Sequence, residues 1–519
     1  MSSLIPGDRI ADLHHASTDV EEATNSLRSG SSHSLNSESN GGSESGYETR
    51  KQYYLAWFPG IAVEGSAVSS KVQDEERRTT PLVSLDAMMR IQAKHKEEDL
   101  FPHHGLLGLT ITGNEQINND EPIFMNTNTP SSAFICGSQG SGKSYTLAAM
   151  LENCLSREHT PGQASAAMPG LLFHYDRNGG AAPAEAARLC ELSDVKVRVL
   201  VSQSSYQRLM PVYTGMKGAG HGKITVEPLL FQDHQLEVDR VLKLMAFSDA
   251  DVAVPLYMQV LMRLLRERAT MGLKVDLAEL EKGLGEQGFA ASQNVMLGMR
   301  LELLKSFCAT AVPPFSKRKG KQAHQDAFRL TPGTLTIVDL SDAFIDSSTA
   351  CTLFSICLGL MTAQKPPGGL VVALDEAHKF INQSPAAEDF IDQILTTIRM
   401  QRHYGVRVVV ATQEPTISPR LLDLCSVSIV HRFTSPAWFA ALKDHLGGAS
   451  SMTMTTEQQK DLFEHIMELG AGESFVFSPS SFVCMRGGVE QKLGRGFMKM
   501  KTRMVTADGG ESVLSVERA

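Results

Sequence analysis

Phe134-Ile-Cys-Gly-Ser-Gln-Gly-Ser-Gly-Lys-Ser144 fits G-x-x-x-x-G-K-[ST], with an apolar run at its start and the helix-forming Tyr-Thr-Leu-Ala-Ala-Met after it. A strand that runs into glycines and then into a helix is what a phosphate-gripping loop requires. Gly137, Gly140 and Gly142 let the backbone curl, so that the N–H groups of Ser138, Gln139, Ser141 and their neighbours face one point. The helix opening at Lys143, Ser144 and Tyr145 aims its positive N-terminal end at the same point. Lys143 would reach the β- and γ-phosphates of ATP, and the Ser144 hydroxyl would ligate Mg2+. The loop thus predicts ATP and Mg2+ as ligands, held by Gly137 to Tyr145.

Hydrolysis needs more than a phosphate loop: an acid on the metal side and a group that orients water. Leu370-Val-Val-Ala-Leu-Asp-Glu376 supplies both, as a buried-strand pattern ending in two carboxylates. Asp375 would hold the magnesium water shell opposite Ser144, and Glu376 would act as general base. The next strand, Val406 to Ala411, ends in Thr412-Gln413, which puts a neutral sensor, Gln413, beside Glu376 if the two strands are neighbours. Between them, Arg399 and Arg402 lie three apart on a helix end. Surface exposure is the default reading of both, and an oligomer would allow one to stabilise charge in a neighbouring subunit's site.

Further strand-length runs occur at Ala133–Cys136, Leu171–Asp176, Val195–Val201, Leu335–Leu340 and Val427–Val430. Helix-length segments such as Tyr145–Ser156, Thr349–Ala363 and Glu388–His403 alternate with the runs. This is the pattern of an α/β protein with a largely parallel sheet flanked by helices. Residues 234–310 break the alternation with Leu- and Met-rich stretches, including Val254–Arg268 and Val295–Phe307, and read as a helical insertion. Four regions follow. Residues 1–50 are a disordered Ser/Glu-rich tail, and 51–125 a lead-in with a helix near Leu85–Lys96 and a strand at Leu106–Thr112. Residues 126–484 form the core, with its insertion at about 205–330, and 485–519 a basic C-terminal segment. Pro313 to Lys321 is expected to be an exposed connector.

The net charge of −9 is uneven: residues 1–50 hold eight acids and three bases, so five of the nine charges sit there and the rest is nearly balanced. From Met485 to Met504 six bases (Arg486, Lys492, Arg495, Lys499, Lys501, Arg503) face one acid, Glu490, a local basic surface for DNA. The alternation in Lys499-Met-Lys-Thr-Arg503 equally predicts a plain strand with a solvated basic face. Eight cysteines at no zinc-ligand spacing predict buried free thiols in a reducing compartment. No apolar run reaches roughly 18 residues and no signal sequence is visible, so an intracellular protein, cytoplasmic or nuclear, without an integral membrane segment is expected.

Four features in this order, Gly137–Ser144, Asp375-Glu-Ala-His378, Arg402-His-Tyr-Gly405 ahead of a strand, and Ala411-Thr-Gln413, resemble the HerA/FtsK superfamily of P-loop ATPases, especially its HerA-like and conjugative-transfer members. The resemblance covers about Gly105 to Val483. It implies a RecA-like core, a helical insertion, a homo-oligomeric hexameric ring, and ATP-driven movement of DNA or protein through the pore. It also implies Arg402 as the arginine finger, Gln413 as the sensor, and a role for Asp176, which a strand-terminal cap explains equally well. The 232-residue separation of Lys143 and Asp375 suits this family. DEAH helicases carry their box nearer the lysine and add a Gln-x-x-Gly-Arg-x-Gly-Arg motif that is absent here, so His378 is read as a helix-start residue. Two departures stand out. Glu414-Pro415 replaces the Arg-Pro of many relatives, and residues 51–125 show no clear N-terminal barrel. The acidic balance keeps a second function open: a nucleotide-dependent assembly or export scaffold acting on protein or membrane-associated partners.

Overall fold

The computed structural model describes residues 67–95, 98–112, 120–158, 161–164, 166–177, 182–220, 222–245, 255–309, 327–446, 454–486 and 488–505. The expected tail (1–50) and the connector (313–321) lie outside the described residues. The chain divides into two units, Met1–Asp74 and Glu75–Ala519. Of the first, only the opening turns of the helix Ala67–Arg78 are described; everything below concerns the second.

In chain order its strands are β1 (Leu82–Ser84), β2 (His104–Thr112), β3 (Pro122–Asn126), β4 (Ser132–Cys136), β5 (Gly162–Gln163), β6 (Gly170–His174), β7 (Lys196–Val201) and β8 (Ile224–Pro228). Then come β9 (Thr334–Asp339), β10 (Leu370–Leu374), β11 (Val406–Thr412), β12 (Val427–His431), β13 (Glu473–Phe477), β14 (Phe482–Arg486), β15 (Val489–Lys492) and β16 (Met498–Thr502). They make one sheet in the order β15-β14-β1-β3-β2-β16-β13-β12-β4-β11-β10-β6-β9-β7-β8, with β5 paired to β2. From β12 to β8 every neighbouring pair is parallel.

The central strands are continuous apolar runs because both sheet faces are covered, and alternate side chains go to opposite sides. Leu171, Phe173, Val372, Leu374, Val408 and Val410 join the core packed under the helices Ser347–Thr362 and Pro385–Arg399. There Phe173, Phe354 and Phe390 meet with ring centroids 4.7–6.0 Å apart. Leu172, Val371, Ala373, Val409 and Ala411 face the other side, against Leu147 and Leu151 of the helix Lys143–Leu155. The expected α/β architecture with a helix-flanked, largely parallel block is therefore present.

The other half of the sheet departs from the expected layout. β1–β3 and β15–β16, on either side of the boundaries drawn at 125 and 484, hydrogen-bond into the same sheet as β4. Their pairings are mostly antiparallel between distant segments, as in β16 with β2 and β1 with β3. β8 also belongs to the sheet, as its far edge beside β7, so the helical portion begins only after it. That portion holds the helices Val238–Leu244, Leu256–Thr270, Leu277–Gly285 and Ala291–Ser306, as the Leu/Met-rich composition predicts. Seven of the eight cysteines are buried and all are free; burial pushes the Cys136 thiol up to about 12. Among the described residues no helix is long and apolar enough to cross a membrane.

Candidate nucleotide site

The register of three adjacent strands assembles the site. β4 pairs with β11, Cys136 opposite Thr412, and β11 pairs with β10, Val410 opposite Leu374. The residues that follow, Gly137, Gln413 and Asp375, therefore leave the sheet at one edge. With strands about 4.8 Å apart, the glycine loop and the carboxylate pair stand about 10 Å apart, with Gln413 between them.

The loop takes the curled form that its glycines predict: φ is +152° at Gly137, +71° at Gly140 and +109° at Gly142. Gly142 caps the helix Lys143–Leu155 and brings no side chain to its first-turn amides, and no acid sits in that turn. Those N–H groups are left for an anion. Ser141 Oγ donates to Ser138 O at 2.7 Å, and Lys143 Nζ folds onto the same carbonyl at 3.0 Å. Burial lowers the Lys143 pKa, against the pull of the nearby Glu376 and Asp375 carboxylates. Ser138 N–H and Gly472 N–H, bonded to Arg432 O at 2.8 Å and Ser141 O at 3.0 Å, clamp the loop from the ends of β12 and β13. Gln139 is exposed, and the Tyr145 hydroxyl accepts from Val505 N–H at 2.7 Å.

Asp375 is buried at the end of β10. Glu376 follows with φ +50° and ψ +43°, a left-handed conformation that is uncommon for a residue with a side chain and costs on the order of 1 kcal/mol. It lies where the chain turns into the short 3-10 helix Ala377–Lys379, and the Glu376 carboxylate meets Gln413, whose Nε2 donates to Oε2 at 2.8 Å. His378 joins them: its Nδ1 accepts from Gln413 N–H at 3.4 Å and its Nε2 stands 3.5 Å from Glu376 Oε2. Burial lowers the His378 pKa, opposed by Glu376 and Glu414. The residue read as a mere helix start thus touches the candidate base. Asp176 accepts from Lys379 Nζ at 2.9 Å, while Ser341 Oγ holds its N–H at 3.0 Å.

Two residues escaped the sequence reading. His174 ends β6 with Nδ1 3.6 Å from Asp375 Oδ2, beyond hydrogen-bonding range. Burial lowers its pKa, but Asp375 and Asp339 outweigh this and raise it overall. His431 ends β12 beneath the loop, where a methyl on Gly137 would lie 2.7 Å from its Cβ. Each histidine closes an apolar strand, as Asp375 does, and that position was the available signal.

Arg402 is exposed in the turn Gln401–Tyr404, ahead of β11. The glycine loop lies at the far end of that strand, about 20 Å away at roughly 3.3 Å per residue. Arg402 therefore cannot serve its own chain's loop. Three of the six bases of the C-terminal segment are paired within the chain. Lys492 pairs with Glu76 at 2.8 Å, Lys499 with Glu473 at 3.1 Å, and Arg503 with the buried Glu152 at 3.3 Å. Met498 and Met500 point into the core between them, the plain-strand alternation.

Residues 353–482, which include Asp375, Glu376, Gln413 and His431, match the family model described as helicase HerA-like C-terminal. Over these residues the chain is similar to the HerA-like family. No curated protein matches it. Among solved structures, this chain is similar to VirB4 of Thermoanaerobacter pseudethanolicus at 13% identity and a TM-score of 0.42, over 77% of this chain and 96% of that one. It is similar to the plasmid coupling protein TrwB in complex with ADP and Mg2+ at 12% identity and a TM-score of 0.42, over 79% and 96%. The genome packaging NTPase B204 from Sulfolobus turreted icosahedral virus 2, in complex with AMPPCP, is similar at 9% identity and a TM-score of 0.26, over 67% and 92%.

Proposed function

We propose that this chain hydrolyses ATP with Mg2+ and works as the motor of a homo-oligomeric, hexameric ring that moves DNA. The observation that carries hydrolysis is the 2.8 Å bond from Gln413 to Glu376 at the sheet edge that also bears the glycine loop. A base, its positioning amide and the phosphate cradle converge there. The first-turn amides and Lys143 would bind the phosphates. Ser144 and Asp375 fit Mg2+, which supplies charge neutralisation at the β- and γ-phosphates. Glu376 would take a proton from a water as that water attacks the γ-phosphorus and the bond to the β-phosphate oxygen breaks, leaving ADP and phosphate. Gln413 holds the carboxylate in place and, from between the strands, can also meet the γ-phosphate. Arg402, too far from its own loop, would act on the next subunit's site, the geometry of a head-to-tail ring.

The second reading, an assembly or export ATPase acting on a protein partner, gains from the internal pairing of Lys492, Lys499 and Arg503, which offsets the charge of half of the C-terminal bases. Phosphate release with single-stranded, duplex or no DNA at several salt concentrations separates the two. Stimulation that is strongest at low salt is expected for the DNA motor, because phosphate contacts release counterions. A rate indifferent to DNA at every salt concentration would rule it out in favour of a protein substrate.

A further inference from the structure

The chain's last described strand ends on the helix that carries Lys143 and Ser144. Thr502 Oγ1 lies 2.8 Å from Thr146 Oγ1, and Arg503 reaches Asn153 Oδ1 at 2.9 Å and Glu152 Oε1 at 3.3 Å. Val505 N–H donates to the Tyr145 hydroxyl at 2.7 Å. From the other side His431 closes on the same threonine, with Nε2 3.0 Å from Thr146 Oγ1 and Nδ1 2.9 Å from Glu473 O. Thr146 and His431 are fully buried and Thr502 nearly so.

One direction of bonding along this chain follows from the His431 contact to Glu473 O. Glu473 O is a carbonyl and can only accept, so His431 Nδ1 carries a proton. Burial and Lys143 hold the imidazole pKa down to about 4, so the ring is neutral and Nε2 is an acceptor. Thr146 must then give its hydroxyl proton to His431, and its oxygen accepts from Thr502. The backbone repeats the connection: Thr502 N–H donates to Gly472 O, and Gly472 N–H to Ser141 O, each at 3.0 Å. Strand β16 therefore reaches the glycine loop by two routes.

We infer that Thr502 and His431 are positioning residues for the phosphate loop, and that the C-terminal strand β16 sets nucleotide affinity by fixing where the Lys143–Leu155 helix begins. The inference rests on the reading of Gly137–Ser144 as an ATP site. Thr502→Val keeps the shape of the side chain and removes the one proton that Thr146 Oγ1 accepts. In the full-length protein, its Kd for a fluorescent ATP analogue with Mg2+ and its KM for ATP are expected to rise about 3- to 10-fold, the effect of one buried hydrogen bond. Turnover at saturating ATP stays within about 2-fold, and Thr502→Ser restores the affinity. The double variant Thr146→Val/Thr502→Val is expected to be no weaker than Thr146→Val alone, since both break one chain. Melting without nucleotide provides the comparison. A Thr502→Val protein that melts lower but binds ATP as wild type does, or a Thr502→Ser protein that fails to recover, would overturn the positioning role. A wild-type protein that binds no nucleotide would instead overturn the ATP reading itself.

Discussion

Gly142→Ala and Gly140→Ala make a matched pair of perturbations in one loop. A methyl on Gly142 would stand 2.8 Å from Gly472 N and 2.9 Å from Gly472 Cα, on a residue with φ +109°. Both neighbours are backbone atoms of the residue whose N–H donates to Ser141 O, so they cannot swing aside as a side chain would. A methyl on Gly140, at φ +71°, would meet nothing within 4 Å. Only the left-handed penalty of about 1–2 kcal/mol applies there. For Gly142 the same penalty adds to a backbone collision, for a total of about 3 kcal/mol or more. Where the loop keeps its shape the cost falls on stability; where it relaxes, on phosphate binding. The quantity to compare is therefore the loss of unfolding free energy plus the loss of nucleotide binding free energy, from denaturant melts and titration with a fluorescent ATP analogue. Three kcal/mol exceeds a hundredfold in binding if all of it falls there. A summed cost for Gly142→Ala no greater than for Gly140→Ala would refute this account of the loop.

Three further outcomes are expected. Arg503→Met leaves the fully buried Glu152 carboxylate without its guanidinium and should cost about 3–5 kcal/mol in a urea melt; a loss under about 1 kcal/mol would show that the pair is not structurally coupled. Glu490, 1% exposed at its side chain, is pushed up by burial and pushed down harder by Lys94 and Arg77, so its pKa lies below the ordinary 4.5. Its stabilisation is therefore present above that value and lost as pH falls through the lower folded pKa. The deficit of Glu490→Gln at pH 7 should shrink below about pH 4.5, and a gap that does not change with pH contradicts the pairing. Mixing Glu376→Gln with Arg402→Ala subunits should restore ATP turnover that each lacks alone, because an intact Glu376 then meets a neighbour's intact Arg402; no recovery in mixed oligomers argues against action in trans.

What the sequence showed and what it hid follow from how each strand is covered. β4, β10 and β11 are buried on both faces, so Ala-Phe-Ile-Cys136, Leu-Val-Val-Ala-Leu374 and Val-Arg-Val-Val-Val-Ala411 stand out as apolar runs. The motifs at their ends were legible with them: Gly137–Ser144, Asp375-Glu376 and Gln413 share one edge as the neighbour relation required. Of the antiparallel half only β2, at Leu106–Thr112, and β16, in the Lys499–Arg503 alternation, were legible. β1 has three residues and pairs with β14 from the far end of the chain, and β15 is short and mostly exposed. β8, a partly exposed edge strand, was absorbed into the insertion for the same reason. His174 and His431 carry no spacing signature, because their partners Asp375 and Thr146 come from other elements, whereas His378 meets Glu376 from within Asp375-Glu-Ala-His378. The C-terminal bases were misleading in the opposite sense: they form a local cluster in the sequence, yet Lys492, Lys499 and Arg503 are directed at carboxylates of this chain.

Phosphate release from ATP by the wild-type protein and by Glu376→Gln, with nucleotide binding measured on the same samples, tests the central claim most directly. Glu376→Gln keeps the side-chain size and removes the proton acceptor. Binding is expected to persist while turnover falls by about 10²-fold or more, the contribution of a positioned general base. A variant that binds ATP and still hydrolyses it at the wild-type rate would contradict the assignment of Glu376 and, with it, the catalytic edge formed by β4, β11 and β10.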